Sequence, residues 1–239
     1  MCSSDLTRSD RDFLCRVIEK AIHAGATTIN LPDTVGYGTP DETRDFFAGL
    51  MGRVPNADKA VFSAHCHNDL GLATANSLAA LQGGARQLEC TINGIGERAG
   101  NASLEEIVMA LRVRQNALPY STSVQSEGLF GVSQLLTEVT GESVQANKAI
   151  VGRNAFLHEA GIHQDGVLKD PSTYEIMRPQ DVGQPIGQLV LGRHSGRHAV
   201  VQRCEALQLS LTHDEVVQVY QAVIDLAEHR KAIGDGDLR

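Results

Sequence analysis

The sequence predicts an α/β fold built on parallel strands, and three observations predict it. Helix and strand signals alternate through the first half, the strand starts fall near Thr27, Ala60 and Gln87, and two of the helices open on capping boxes. The order αβαβαβα joins parallel strands by helical crossovers. An open doubly wound sheet and a (β/α)8 barrel both fit that order.

The elements follow in turn. Phe13, Leu14, Val17, Ile18, Ala21 and Ile22 recur at helical spacing, and Gly25 closes that helix. Thr27–Leu31 is a short β-branched strand that should stop at Pro32-Asp33. Thr39-Pro40-Asp41-Glu42 combines a capping box with proline at the first helical position, so a helix runs to about Met51. Ala60–Ala64 is the second strand and Leu70–Leu81 the next helix, ended by Gly83-Gly84. Gln87–Ile92 is the third strand, and Ser103-Leu104-Glu105-Glu106 opens a helix to about Arg114.

After Pro119 the strand–helix rhythm is lost. A polar stretch at Gly141–Asn154 and glycine- and histidine-rich segments at Gly152–Gly166 and Gly192–His198 read as loops. A last helix, Thr212–His229, begins with Thr212 three residues before Glu215, again a capping box. This half reads as a small region appended to the α/β unit.

Bulk properties narrow the function classes. A net charge of -8 argues against nucleic-acid or anionic-membrane partners, both of which need a cationic surface. The 5 cysteines are odd in number and widely spaced without a C-x-x-C pair, which fits reduced thiols and a cytoplasmic location. The N-terminus lacks a basic n-region and an apolar h-region, and no apolar run is long enough to span a bilayer.

The sharpest local feature is His65-Cys66-His67, directly after the strand Ala60–Ala64. Residues i and i+2 of a strand share a face, so both imidazoles project together at the strand's C-terminal end, where parallel α/β folds build their sites. Two convergent imidazoles suit a divalent metal, although a bare H-x-H is more often a pair of surface histidines. Asp69 can orient a histidine or cap the helix at Leu70.

The next strand end carries Asn93-Gly94-Ile95-Gly96-Glu97-Arg98-Ala99-Gly100-Asn101, whose glycines permit close backbone approach to an anion or simply make a tight connection. There Glu97 and Arg98 can form a structural ion pair. Asn101 can cap the following helix or offer its amide oxygen to a metal. On the first strand, Asn30, Pro32 and Thr34 share one alternation phase, and Thr34 can donate a hydrogen bond to a substrate carboxylate. His158-Glu159-Ala160-Gly161-Ile162-His163 misses the zinc-protease spacing by one residue, so that reading is rejected. His163, set between glycines, remains a candidate general acid or base.

Phe62–Ala73 and the loop Asn93–Asn101 strongly resemble the 2-isopropylmalate synthase and homocitrate synthase family, the first as its metal-site signature and the second as its N-G-x-G-E-R-x-G-N loop. The resemblance extends from Thr7-Arg8-Ser9-Asp10 to the C-terminus. It implies a partial (β/α)8 TIM barrel, strands 6–8 and their helices, followed by small α/β linker subdomains. The implied divisions are residues 1-152 for the barrel part with a helical extension, 153-192 for a first linker subdomain and 193-239 for a helical second one. It implies a divalent metal ion (Mn, Zn, Mg or Co) on His65 and His67 with Asn101 nearby or coordinating. Thr34 would hold the carboxylate of a 2-oxo acid, Asn30 and Pro32 would line its pocket, and Glu97 and Arg98 would support the acetyl-CoA side. His163 and Tyr174 would reach into the site of the partner subunit of a homodimer. The implied activity is a Claisen-type condensation of acetyl-CoA with 3-methyl-2-oxobutanoate in leucine biosynthesis. Gly161–Lys169 and Tyr174–Met177 look like the leucine branch, which ranks homocitrate or citramalate synthesis second. A reading of another class is a non-catalytic remnant that only associates with an intact subunit.

The chain departs from the family pattern in places. The family's D-x-T-L-R-D-G-E segment, with its metal-binding aspartate and catalytic arginine, is absent, and Ser4 stands where a glutamate is expected. The chain is therefore expected to be a fragment, inactive by itself and without the regulatory domain.

Overall fold

The computed structural model describes residues 8–157, 176–185, 197–209, 211–229 and 237–238. It divides into two compact units, residues 1–144 and 145–239.

The first unit is α/β. Strands β1 (Thr28–Asp33), β2 (Val61–Cys66) and β3 (Gln87–Glu89) form a parallel sheet in the order β1-β2-β3. Helices α2 (Pro40–Arg53) and α3 (Ala73–Gln82) make the crossovers, with α1 (Arg11–His23) before them and α4 (Leu104–Val113) after. The register sets Asn30 opposite Ser63 and Ser63 opposite Gln87, then Pro32 opposite His65 and His65 opposite Glu89.

Alternation gives the sheet two unlike faces. Ile29, Leu31, Phe62, Ala64 and Cys66 join Leu14, Ile18, Phe46, Phe47, Leu50 and Leu81 from the helices in one buried core. The opposite face carries Thr28, Asn30, Pro32, Val61, Ser63, His65, Gln87 and Glu89; of these Thr28, Asn30, Val61 and Gln87 are exposed, Pro32, His65 and Glu89 are half-buried, and Ser63 is buried. At about 25 cal/mol per Å² of apolar surface removed from water, it is the helix-covered face that drives folding.

Several boundaries differ from those expected. β1 runs on through Pro32 to Asp33, because among the described residues it has a strand partner on one side only and proline is tolerated on an edge strand. α3 starts at Ala73 rather than Leu70, since the Asn68 side chain accepts the Ala73 N–H at 3.1 Å and Leu70 lies 62% exposed in the preceding turn. β3 ends at Glu89 rather than Ile92, where Thr91 N–H turns to the carbonyl of Ala102 and Ile92–Gly94 forms a 3-10 turn with Asn93 at φ 58°. Helix α5 (Leu129–Thr140), in the stretch where the family resemblance implies a helical extension and the residue pattern assigns no element, ends at Gly141 in the left-handed conformation. The Thr39 box is formed: the Glu42 carboxylate accepts from the Thr39 N–H at 3.0 Å and its hydroxyl at 2.7 Å.

The second unit contains α6 (Arg197–Ala206) and α7 (His213–His229). Val200, Cys204 and Val223 form its small core with Leu209, Leu211, Val219 and Tyr220. Thr212 caps α7 as its sequence predicts, with its N–H and hydroxyl both 2.7 Å from the Glu215 carboxylate. No helix among the described residues is long and apolar enough to cross a membrane.

Candidate metal and substrate site

The C-terminal ends of the three strands carry the candidate site residues. His65 lies in the last turn of pleat of β2, and His67 follows just beyond it, its N–H donated to the carbonyl of Asp33 at 3.2 Å. The two Nε2 atoms stand 3.1 Å apart, with the rings inclined at 64°. Nitrogens about 2.1 Å from a shared divalent ion are separated by roughly 3.0–3.4 Å at right to tetrahedral angles. The pair therefore has the spacing of two ligands on one ion.

Asn101 is brought to the same corner by the chain that follows the glycine loop. It forms an antiparallel bridge with His67, and the flanking bonds Asn68 N–H to Gly100 O (2.9 Å) and Ala102 N–H to Cys66 O (3.1 Å) zip the two segments together. The Asn101 amide nitrogen donates to the carbonyl of Ile95 at 3.0 Å. Among the described residues its oxygen is buried without a hydrogen-bond partner. Orphaned buried polar atoms cost free energy, and a bound cation or water removes that cost. Among the described residues no group of three or more His, Cys, Asp or Glu side chains converges. The donor set on these residues is thus two imidazoles and an amide oxygen, a partial shell that fits a divalent ion with open positions.

Glu89, not singled out by the sequence, completes a polar row across the sheet. Its Oε2 lies 2.9 Å from Nδ1 of His65, on the far side of the ring from His67. No sequence spacing links residues 65 and 89; only the β2–β3 register sets them opposite.

Arg98 forms the ion pair with Glu97, at 3.6 Å, and reaches two other loops more closely. Its guanidinium donates to both carboxylate oxygens of Asp69, at 2.8 and 2.9 Å, and to the carbonyl of Thr34 at 2.5 Å. Among the described residues Asp69 makes no hydrogen bond to α3 or to a histidine; it anchors the loop of Arg98, and its charge acts on the nearby His67. Glu97 is 84% exposed.

The loop after β1 is held from beneath. Asp33 is buried, and its carboxylate accepts the N–H groups of Tyr37 (3.1 Å) and Gly38 (2.9 Å). Asn76 of α3 donates to the carbonyl of Gly38 at 2.7 Å. This frame fixes Thr34, one residue past β1. Pro32 is next to His65 in register, and Asn30 lies one step further from the strand ends on the same face. In the third loop the buried Glu105 accepts the N–H of Asn93 at 3.1 Å. His163 and Tyr174 lie outside the described residues.

Electrostatics follow from this packing. Burial, then the neighbouring His65 and Arg98, push His67 below the ordinary imidazole range. The Arg98 hydrogen bonds hold Asp69 below the usual carboxylate range. Burial pushes the Cys66 thiol up to about 12, so the cysteine between the histidines is an inert thiol of the helix-side core.

Comparison with known proteins adds the wider context. Residues 1–136 match the HMGL-like family, and residues 150–231 match the family described as homocitrate synthase post-HMGL domain-like. A 2-isopropylmalate synthase of Rhodopirellula baltica is 58% identical over 98% of this chain and 44% of its own length. One from Carboxydothermus hydrogenoformans is 57% identical over 99% of this chain and 46% of its own length. The chain spans a little under half the length of these relatives. Among solved structures, an HMG-CoA lyase of Bacillus subtilis matches with a TM-score of 0.50 and 25% identity, over 59% of this chain and 48% of that one.

Proposed function

This chain belongs to the HMGL-like family, and from that premise we propose that it forms part of the catalytic region of a 2-isopropylmalate synthase. The reaction is the condensation of acetyl-CoA with 3-methyl-2-oxobutanoate to 2-isopropylmalate and CoA, an acyl transfer in leucine biosynthesis. The observation that carries the reading is the 3.1 Å approach of His65 and His67 at the strand ends, with Asn101 bridged beside them. The names of the two synthases support the substrate pair. The post-HMGL match at residues 150–231 favours a synthase over a lyase built on the barrel region alone.

In this reading β1, β2 and β3 are strands 6–8 of a (β/α)8 barrel. The helix-covered face supports that wall, because a doubly wound sheet carries helices on both faces and a barrel on one. His65, His67 and Asn101 hold a divalent ion of the Mn, Zn, Mg or Co type, which when bound polarises the oxo group of the 2-oxo acid. Thr34 donates to the substrate carboxylate, and Asn30 and Pro32 line the pocket on the same sheet face. Glu97, exposed on the glycine loop, faces the acetyl-CoA side, with Arg98 holding that loop in place. His163 and Tyr174 act as acid–base groups reaching the site of the other subunit of a homodimer in the cytoplasm. The base and the remaining ligands come from parts of the parent fold beyond the residues described.

The test is a chimera in which this chain replaces the corresponding segment of the Rhodopirellula baltica synthase, with CoA release followed by a thiol reagent. We expect turnover with 3-methyl-2-oxobutanoate to exceed that with 2-oxoglutarate or pyruvate, and His65→Ala to abolish it. The 239-residue chain by itself should release CoA negligibly. A folded chimera that prefers 2-oxoglutarate would move the assignment to homocitrate synthesis. One that binds both substrates without turnover would favour a non-catalytic remnant.

A further inference from the structure

We propose that Glu89 is a positioning residue for His65, holding its imidazole in the tautomer that carries the proton on Nδ1 and turns the Nε2 lone pair toward His67. This deepens the reading of His65 and His67 as a metal-binding pair and rests on it. His65 and Glu89 are register partners on adjacent parallel strands, so their side chains leave the same face side by side. The carboxylate oxygen Oε2 meets Nδ1 at 2.9 Å, and Nε2, across the ring, meets Nε2 of His67 at 3.1 Å.

A carboxylate only accepts hydrogen bonds, so the proton of this contact belongs to Nδ1. In a neutral imidazole Nε2 is then left with its lone pair, the form in which it ligates a metal. Glu89 itself stands on the wrong side of the ring to reach the same ion as Nε2, so it acts through His65 and not as a ligand. Partners of this kind fix ring orientation and raise ligand basicity. The arrangement is also anchored: Pro32 lies in register with His65 on the other side, and the His65 side chain is only 26% exposed, which restricts the ring from swinging away. Asn101 and His67 are set by backbone bridging, whereas His65 has Glu89 as its fixing group.

The experiment uses the full 239-residue chain, labelled with 15N-histidine, as wild type, Glu89→Ala and Glu89→Gln. Long-range 1H–15N spectra report the His65 tautomer without metal, and competition with a chromophoric chelator reports the Zn2+ affinity, with a His65→Ala/His67→Ala chain giving the background. Wild type should carry its proton on Nδ1. Glu89→Ala should lose that preference and bind Zn2+ about 10–100-fold more weakly. Glu89→Gln, whose amide oxygen still accepts from Nδ1, should keep the tautomer and lose less affinity. A purely architectural role for Glu89 would move thermal stability and leave the tautomer alone. An unchanged His65 tautomer in Glu89→Ala, with native circular dichroism, overturns the inference. In the Rhodopirellula baltica chimera, which supplies the remaining ligands, Zn2+ binding no better than in its His65→Ala/His67→Ala background would instead sink the metal reading, and the tautomer spectra would still decide the role of Glu89.

Discussion

Arg98 and Asp69 meet through two parallel hydrogen bonds, Nε to Oδ1 at 2.8 Å and Nη2 to Oδ2 at 2.9 Å, and the same Nη2 reaches the carbonyl of Thr34. One guanidinium thereby joins the loops that follow all three strands. Arg98 holds this position with φ 55°, in the left-handed region that a non-glycine residue occupies only when its surroundings require it.

Replacing Arg98 by Met keeps the bulk and removes the fork. Amide hydrogen exchange in residues 34–38 and 94–101 should accelerate while the α2 and α3 amides stay protected, because the clamp acts on the rim and not on the core. Uniform acceleration throughout the unit would contradict this.

The clamp also has a pH signature. The folded Asp69 carboxyl titrates below its ordinary value, chiefly through the Arg98 hydrogen bonds, so the folded state binds fewer protons than the unfolded chain as pH falls through that interval. Its stabilising contribution is fully present above the ordinary carboxylate range and is lost as pH drops through the lower folded value. Wild type should therefore lose melting temperature on acidification from about pH 5 more steeply than Asp69→Asn. Parallel curves would show the pair to be without effect.

Asp33 holds the first loop by two backbone N–H groups in a buried place. Asp33→Ala should cost about 1–3 kcal/mol in denaturant unfolding, since both donors are left unsatisfied. The same variant should loosen Thr34, and weaker protection of the Tyr37 and Gly38 amides is the direct measure.

In the core, Phe47 is 2% exposed between α2 and the sheet. Phe47→Ala should destabilise the first unit by roughly 3–5 kcal/mol, the loss of a buried ring plus the cavity it leaves. A loss under about 1 kcal/mol would mean that the neighbouring helices close over the site.

Gly100 adopts φ +87° against the carbonyl of Gly94, and a Cβ there would collide with that oxygen. Gly100→Ala should displace Asn101 and lower the Zn2+ affinity of the His65–His67 pair, read by the same chelator competition.

By itself the sequence determined what periodicity and local chemistry can encode: the parallel α/β order, the Thr39 and Thr212 caps, and the two histidines projecting from one strand end. These depend on neighbours within a few residues, where strand alternation and helix capping act. The family resemblance, carried by Phe62–Ala73 and Asn93–Asn101, is borne out by the HMGL-like match. Helix α5 was legible in principle, since Leu129, Val132, Leu136 and Val139 recur at helical spacing, but Val139 is 76% exposed and only Leu129 and Ser133 are buried, so its apolar stripe does not mark a core face. The tertiary structure decided the partners. Glu89 reaches His65 only through strand register, Asp69 turns to Arg98, 29 residues away, and Asn101 is brought beside His67 by a backbone bridge. Such contacts join residues far apart in the chain, and their geometry exists only once the sheet has formed and brought three loop ends to one edge.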